Sequence, residues 1–186
     1  IRSVPGREDM APIAYQPETA FPGHPDDAID AIQPGDVVVL DGHGAMDEGL
    51  FGDLLTLRMQ TRGAAGSVSD MGVRDSDRIL DIGLPTFSRG HCSPGGTVYN
   101  VDFNVPIGCA GCLVCPGDVI SADDDGTIVI PAAMLPEVTA EVMTHEDRED
   151  FIRLMLAAGE PLQGLYPMGE SWEARFRTWR RDELGR

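Results

Sequence analysis

Short apolar runs alternate with segments of helical periodicity along the first half of the chain. Val37–Leu40 is an unbroken apolar run between turn residues, which is typical of a buried strand. Residues 52–62 carry apolar side chains at helical spacing, and Gly63 follows as a stop signal. A short strand is predicted over 66–70 and a helix over 76–82. The pattern therefore predicts strands that alternate with helices.

The second half of the chain shows a hairpin pattern followed by helical patterns. Residues 117–130 hold two strand-like stretches around an acidic turn at 123–126, which predicts a β-hairpin. Residues 132–158 are predicted to be helical, with Gly159 as the stop. A last helix is predicted over 171–184, with three aromatic side chains on one face: Trp172, Phe176 and Trp179.

The remaining segments carry weaker patterns. Residues 1–4 resemble the end of a strand, so we expect the natural chain to start further upstream. Residues 5–27 are rich in proline and predict a loop, and a short helix is predicted over 26–32. Three further strands are predicted, over 84–88, 98–103 and 105–109.

Strands alternating with helices, followed by late hairpins, predict the fold class as α/β, a layered domain with a mixed sheet and a C-terminal helical extension. At 186 residues the chain has room for one domain and a tail. We assign residues 1–158 to the main domain and 159–186 to the tail. The tail helix is expected to pack on the body or on a neighbouring subunit.

The charge balance excludes some partners. The formal net charge is −17 at pH 7, whereas nucleic-acid phosphates and anionic membrane surfaces attract basic patches. No apolar run approaches the roughly 20 residues that a membrane helix needs. We therefore expect neither a nucleic-acid partner nor a membrane partner.

The basic residues exclude a class of mechanism. All 14 are arginines, and the chain has no lysine. A Schiff-base aldolase, a pyridoxal phosphate enzyme and a P-loop kinase each need a lysine amine. Carbon–carbon bond chemistry in this protein would therefore need a metal or a fixed hydrogen-bond donor as its electron sink.

The densest candidate chemistry lies in two loops, each of which opens a helix. In the first, residues 52–55, free backbone N–H groups at the helix N-terminus would bind an anion such as a carboxylate. In the second, Arg74 offers a planar fork for a carboxylate, and Asp75 offers a hard oxygen ligand for Mg²⁺ or Mn²⁺. Both loops could face one crevice at the strand ends. The competing interpretation is a surface turn in which Asp75 only caps a helix.

Four cysteines are present, and three of them stand at Cys109-x2-Cys112-x2-Cys115. This spacing resembles part of a ferredoxin cluster motif, which needs a fourth thiolate. The fourth cysteine, Cys92, lies 17 residues before Cys109. The segment is also compatible with a strand that carries buried structural thiols, which is the interpretation we favour. Because such crowded cysteines are not typical of a disulfide scaffold, the protein is expected to be cytoplasmic and to keep its thiols reduced.

Several motifs together resemble the RraA-like family, over about residues 30–131. Within them, Asp53 and the Arg74-Asp75 pair are separated by twenty residues. The matching runs are Gly52-Asp53-Leu54-Leu55, Arg62-Gly63-Ala64-Ala65-Gly66, Val73-Arg74-Asp75, Gly83-Leu84-Pro85-Thr86-Phe87, Asn104-Val105-Pro106, Pro116-Gly117-Asp118 and Asp123-Asp124-Asp125-Gly126. The resemblance implies the family's swivelling β/β/α fold and assembly as homotrimers or homohexamers.

The resemblance also implies site roles. Gly52, Asp53, Leu54 and Leu55 would hold the carboxylate of a keto-acid substrate through backbone amides. Arg74 would contact the substrate oxygens, and Asp75 would be the one direct protein ligand of Mg²⁺ or Mn²⁺. Asp53 would position a water that shuttles protons. A glutamate of a neighbouring subunit, Glu149 or Glu146, would complete the site.

The family contains 4-hydroxy-4-methyl-2-oxoglutarate/4-carboxy-4-hydroxy-2-oxoadipate aldolases and the regulator of ribonuclease activity A. The expected function is therefore a metal-dependent, class II pyruvate aldolase with oxaloacetate decarboxylase as a side activity. The alternatives are a protein-binding regulator of an RNA-degrading enzyme, or a related keto-acid lyase or dehydratase. In the family the regulators carry glycine at the place of Asp53, so this carboxylate favours the enzyme.

Overall fold

The computed structural model describes residues 1–5, 25–95 and 98–185. Much of the loop predicted over 5–27 therefore lies outside the described residues. The chain divides into two compact units, Ile1–Ala132 and Ala133–Arg186. No helix in the described ranges is long and apolar enough to cross a membrane.

The first unit contains three helices and eleven short strands within its described residues. The helices are α1 (Pro25–Asp30), α2 (Asp53–Thr61) and α3 (Ser76–Ile82). The strands are β1 (Arg2–Pro5), β2 (Val37–Leu40), β3 (Gly66–Ser69), β4 (Gly72–Val73), β5 (Thr86–Phe87), β6 (Gly90–His91), β7 (Val98–Asp102), β8 (Ile107–Cys109), β9 (Cys112–Val114), β10 (Val119–Asp123) and β11 (Gly126–Ile130).

Parallel pairing places helices α2 and α3 between consecutive strands. β2, β3 and β5 form a parallel sheet in that order, and β4 pairs with β6 in parallel. Parallel neighbours need a crossover connection, which α2 supplies between β2 and β3 and α3 between β3 and β5. The mixed α/β architecture predicted from the sequence is confirmed.

The core of the first unit lies between this sheet and its helices. Ile29 of α1, Leu40 of β2, Met59 of α2 and Ile79 of α3 are buried in one cluster. Phe51, directly before α2, has no exposed surface. Burying an aromatic ring of this size contributes about 1.5–3 kcal/mol, and Phe51 thereby fixes the start of α2.

Antiparallel pairs complete the first unit. β1 pairs with β7, which agrees with the strand end predicted at residues 1–4. The predicted hairpin at 117–130 is confirmed as β10 and β11. The prediction of one strand through the cysteine segment is wrong. β8 and β9 form a hairpin because Ala110 (φ 50°) and Gly111 (φ 82°) reverse the chain.

The second unit is a pair of helices preceded by a 3₁₀ turn (Ala132–Met134). The helices are α4 (Leu135–Ala157) and α5 (Glu170–Leu184), close to the predicted bounds. Phe151 packs against Phe176 with ring centroids 5.7 Å apart, and both rings are buried. Because this contact joins the two helices, they form one compact unit that begins at Ala133. The assignment of residues 1–158 to the main domain and 159–186 to the tail stays a prediction.

Candidate active site

Two backbone segments run side by side and bring the starts of α2 and α3 together. The N–H of Leu50 donates to the carbonyl of Gly72 at 3.0 Å. The N–H of Arg74 donates to the carbonyl of Phe51 at 3.1 Å. These bonds place the residues before α2 beside the residues before α3. The predicted meeting of the two loops at one crevice is found in the structure.

One cleft of about 330 Å³ contains most of the predicted site residues. It is lined by Gly52, Asp53, Leu54, Leu55, Arg74 and Asp75. These are all the residues for which the sequence predicted substrate or metal binding. The structure establishes that they share a cleft, and their roles remain predictions.

Gly52 is needed for the close approach of the two loops. A Cβ atom at this position would lie 2.2 Å from Oδ2 of Asp75. It would also lie 3.1 Å from Cγ and 3.2 Å from Nε of Arg74. The absence of a side chain at Gly52 therefore lets the carboxylate and the guanidinium stem lie against the start of α2.

Asp75 occupies the N-cap position of α3 without acting as a cap. Its side chain makes no capping hydrogen bond to the helix, and its backbone is in the left-handed region (φ 57°, ψ 35°). A non-glycine residue in this region is uncommon and is held there by its surroundings. The Asp75 side chain is 46% exposed, and its Oδ2 lies 3.8 Å from Nε of Arg74. The capping interpretation therefore does not account for this carboxylate.

The N-terminus of α2 supplies backbone donors to the cleft. The N–H and hydroxyl of Thr56 both donate to the carbonyl of Gly52, at 3.1 and 2.9 Å, so the helical bonding begins there. The N–H of Leu54 donates to Oδ1 of Asp53 at 2.8 Å. An incoming substrate carboxylate would compete with Asp53 for this donor. Asp53 thus has a carboxylate oxygen at the place where an anion would bind.

The donor set fits a hard divalent cation with one protein ligand. Across the ranges 1–5, 25–95 and 98–185, no three His, Cys, Asp or Glu side chains group together to hold a metal. Mg²⁺ is commonly held by one or two carboxylates, with waters and substrate oxygens in its other positions. The exposed, uncapped carboxylate of Asp75 meets this requirement.

Glu149 lies on α4 in the second unit. Its Oε2 is 2.5 Å from Nη2 of Arg153, and its Oε1 is 3.7 Å from Nδ1 of His145. The carboxylate is therefore already ion-paired within its own helix. Glu146, the other glutamate considered, lies on the same helix and is exposed. The assignment of either one to the site stays a prediction.

Gly95 is a site neighbour that the sequence did not predict. A Cβ atom at Gly95 would lie 3.1 Å from Nη1 of Arg74, and Gly95 bridges to Gly49. The backbone at Gly95 therefore lies close to the guanidinium group. The Pro94-Gly95 pair predicts a turn, but nothing in the sequence links that turn to Arg74.

Comparison with known families gives a match over most of the chain. The family model described as "RraA-like: Aldolase/RraA" matches residues 13–129. This range includes every residue that lines the cleft.

Curated relatives carry different names. A Legionella pneumophila protein named DlpA is 34% identical over 73% of this chain, which spans 22% of that protein. A Halalkalibacterium halodurans protein named "Putative 4-hydroxy-4-methyl-2-oxoglutarate aldolase" is 37% identical over 53% of this chain, which spans 47% of its length.

A solved structure shares the fold. Streptomyces coelicolor RraAS2, described as an unusual member of the RNase ES inhibitor RraA protein family, superposes with a TM-score of 0.71. The match has 30% sequence identity and covers 82% of this chain and 73% of RraAS2. The predicted RraA-like fold is confirmed by this similarity.

Proposed function

The chain belongs to the RraA-like family, and on that premise we propose that it is a divalent-metal-dependent pyruvate aldolase. Its substrates would be 4-hydroxy-2-oxo acids such as 4-hydroxy-4-methyl-2-oxoglutarate or 4-carboxy-4-hydroxy-2-oxoadipate. Oxaloacetate decarboxylation would be a side activity, because both reactions produce the enolate of pyruvate. The observation that carries the proposal is the cleft in which Arg74 and the uncapped Asp75 face the start of α2.

With a divalent cation bound, the charge of the cleft would agree with an acidic substrate. The chain as a whole carries a net charge of −17, which repels di- and tricarboxylates. Within the cleft, Arg74 and the positive end of the α2 dipole favour an anion, whereas the carboxylates of Asp53 and Asp75 oppose one, so that the three side chains carry a formal charge of −1. A divalent cation at Asp75 would bring this sum to +1. Anionic substrates would therefore be attracted to this cleft more than to the surrounding surface.

Asp75 would hold Mg²⁺ or Mn²⁺ through a carboxylate oxygen. When bound, such an ion acts as a Lewis acid toward the 2-oxo group of the substrate and replaces the lysine that other aldolases use. The absence of lysine from the chain agrees with this class of chemistry.

Backbone and side-chain groups of the cleft would bind the substrate and transfer its protons. Backbone N–H groups at the start of α2 bind the carboxylate next to the 2-oxo group. The guanidinium of Arg74 donates hydrogen bonds to the substrate oxygens on which negative charge develops. Asp53, through a water, accepts the proton of the 4-hydroxyl group as the C3–C4 bond breaks. The same route returns a proton to C3, which becomes the methyl group of pyruvate.

A second copy of the chain would complete each site. In this arrangement Glu149 of one subunit lies near the cleft of its neighbour in a homotrimer or homohexamer. Glu149→Gln would then lower pyruvate release without changing the molar mass measured by light scattering. Wild-type activity in Glu149→Gln would remove this residue from the site and leave Glu146 to be tested in the same way.

The test of the function is pyruvate release from 4-hydroxy-4-methyl-2-oxoglutarate and from oxaloacetate, with Mg²⁺ and with EDTA. Asp75→Ala and Asp53→Ala should each lower the rate at least about 100-fold, as expected for lost transition-state contacts. Asp77→Ala is the matched control, because Asp77 is an acidic residue in the first turn of α3 that does not line the cleft. No release from either substrate by folded wild-type protein with Mg²⁺ would refute the aldolase.

The likeness to RraAS2 favours one second candidate, a regulator that binds an RNA-degrading enzyme. The strongly acidic chain could mask a basic segment of such a partner. The Asp53→Ala variant distinguishes the two functions. A regulator would keep its inhibition of the partner enzyme in Asp53→Ala, whereas an aldolase would lose pyruvate release.

A further inference from the structure

The β8–β9 hairpin places two thiols directly opposite each other. Its two-residue turn consists of Ala110 and Gly111, both with positive φ. The strand register pairs Cys109 with Cys112 as the last residues before and after this turn. Directly opposite residues of an antiparallel pair project to the same face, with Cα atoms about 4.5–5.5 Å apart, and their Cβ atoms need to approach by about 1 Å to reach the 3.5–4.5 Å of a disulfide. Disulfides form at Cα separations of about 4.4–6.8 Å, which such a pair satisfies.

Both thiols are free and open to one cavity. Neither Cys109 nor Cys112 is in a disulfide, and both line a cavity of about 730 Å³ in the first unit. Cys109 is 6% exposed, and its Sγ lies 3.7 Å from the carbonyl oxygen of Leu40. Cys112 is exposed at the same end of the hairpin. A small oxidant can therefore reach the exposed sulfur of Cys112 before it reaches the buried sulfur of Cys109.

The third cysteine of the motif is out of reach. Cys115 follows β9, three residues beyond Cys112 along an extended chain. At about 3.3 Å per residue, the Cα atoms of Cys112 and Cys115 are about 10 Å apart, beyond the range of a disulfide. The spacing that resembles a cluster motif in the sequence therefore separates into a pair and a single thiol.

We propose that Cys109 and Cys112 are a redox modification site, which a hydroperoxide such as hydrogen peroxide converts to an intramolecular disulfide. The sulfur of Cys112 attacks one peroxide oxygen, so that an S–O bond forms, the O–O bond breaks and water leaves. The sulfur of Cys109 then attacks the sulfur of the Cys112 sulfenic acid. An S–S bond forms, the S–O bond breaks, and a second water leaves with the proton of Cys109. Two thiols are oxidised, and one peroxide is reduced to two waters.

The environment of Cys109 decides the order of attack. Burial, and then the nearby negative charge of Asp70, raise the pKa of Cys109 from 9.0 to about 11. Cys109 is therefore protonated at neutral pH and is a poor nucleophile toward peroxide, and its later attack on the adjacent sulfenic acid is correspondingly slow. The exposed Cys112 reacts first, and Cys109 serves as the resolving thiol.

The test counts thiols and masses in the intact protein. Reduced wild type has four alkylatable thiols after denaturation. Equimolar hydrogen peroxide should reduce this number to two and lower the mass of the monomer by about 2 Da. Dithiothreitol should restore all four thiols. Cys112→Ser should keep its three thiols and its mass. Cys109→Ser should show no loss of mass and should instead lose one of its three thiols, because Cys112 stops at the sulfenic acid and gives a dimedone adduct.

Cys115→Ser is the matched control and should still lose two of its three thiols. The proposal fails if wild type keeps four thiols, if Cys115→Ser abolishes the loss, or if Cys112→Ser still forms an intramolecular disulfide. Disulfide-linked dimers on a non-reducing gel in place of the lighter monomer would also overturn it. Thermal unfolding of each reduced variant confirms that the comparison is made between folded proteins.

Discussion

Replacing Gly52 by alanine would test the geometry of the cleft with one added carbon. The backbone of Gly52 is extended (φ −136°, ψ −159°), a conformation that alanine adopts without strain. The only penalty is therefore the new Cβ atom, which would lie 2.2 Å from Oδ2 of Asp75. Ordinary contacts begin near 3.4 Å, so one of the two atoms must move by about 1 Å.

The movement should fall on the Asp75 side chain. This side chain is 46% exposed and makes no capping hydrogen bond, so it can turn toward solvent. Crowded contacts usually cost about 1–3 kcal/mol, so we expect the free energy of unfolding to fall by no more than about 3 kcal/mol. A displacement of about 1 Å in a group that positions the reaction can lower the rate about 100-fold. Gly52→Ala should therefore lose activity and metal affinity while it remains folded.

The assay compares Gly52→Ala with Gly108→Ala for thermal unfolding, Mn²⁺ affinity and pyruvate release. Gly108 is the control because a Cβ atom there would meet no atom within 4 Å. Wild-type metal affinity and wild-type kcat/KM in Gly52→Ala would show that the Asp75 carboxylate does not act from the observed position. Gly108→Ala should match wild type in all three measurements.

Three further predictions concern stability. Asp70 is buried and accepts hydrogen bonds from the N–H groups of Gly42 (2.7 Å) and Ala110 (3.2 Å). Asp70→Ala leaves both donors unpaired and should cost about 2–5 kcal/mol in urea unfolding, and a cost under about 1 kcal/mol would contradict this. Phe151→Ala should destabilise the second unit by about 3–5 kcal/mol in the same assay, and a wild-type midpoint would refute the aromatic core. Because the pKa of Cys109 is raised in the folded state, its stabilisation is complete below pH 9 and lost as the pH rises toward 11. Unfolding of Cys109→Ala should show a smaller loss of stability over that interval, and an equal loss would contradict the assignment.

The candidate site could be predicted from the sequence because its residues follow strands and open helices. Arg74 follows β4 directly and Asp75 precedes α3, whereas Gly52 precedes α2 but is separated from the end of β2 by eleven residues. The two loops meet through backbone hydrogen bonds from Leu50 to Gly72 and from Arg74 to Phe51, which the sequence does not show. The position of Gly95 against Arg74 could not be predicted, because a contact across 21 residues leaves no periodic signal in a single sequence.

The elements that the sequence missed are short or unusual. β4 and β6 have two residues each, too few to show alternation. The turn between β8 and β9 begins at Ala110, which has none of the glycine or asparagine preference of such turns. The placement of α4 with α5 depends on the packing of Phe151 on Phe176, and periodicity does not show which faces meet.

Mn²⁺ binding, followed by electron paramagnetic resonance, tests the central claim most directly. The account predicts one site per chain that Asp75→Asn weakens at least about 10-fold, because the only protein ligand is lost. Asp77→Asn should bind as wild type does, since its carboxylate is two residues away and outside the cleft. Pyruvate should tighten Mn²⁺ binding in wild type and not in Arg74→Ala. Equal Mn²⁺ affinity in wild type and Asp75→Asn would contradict the metal site, and with it the proposed chemistry of the cleft.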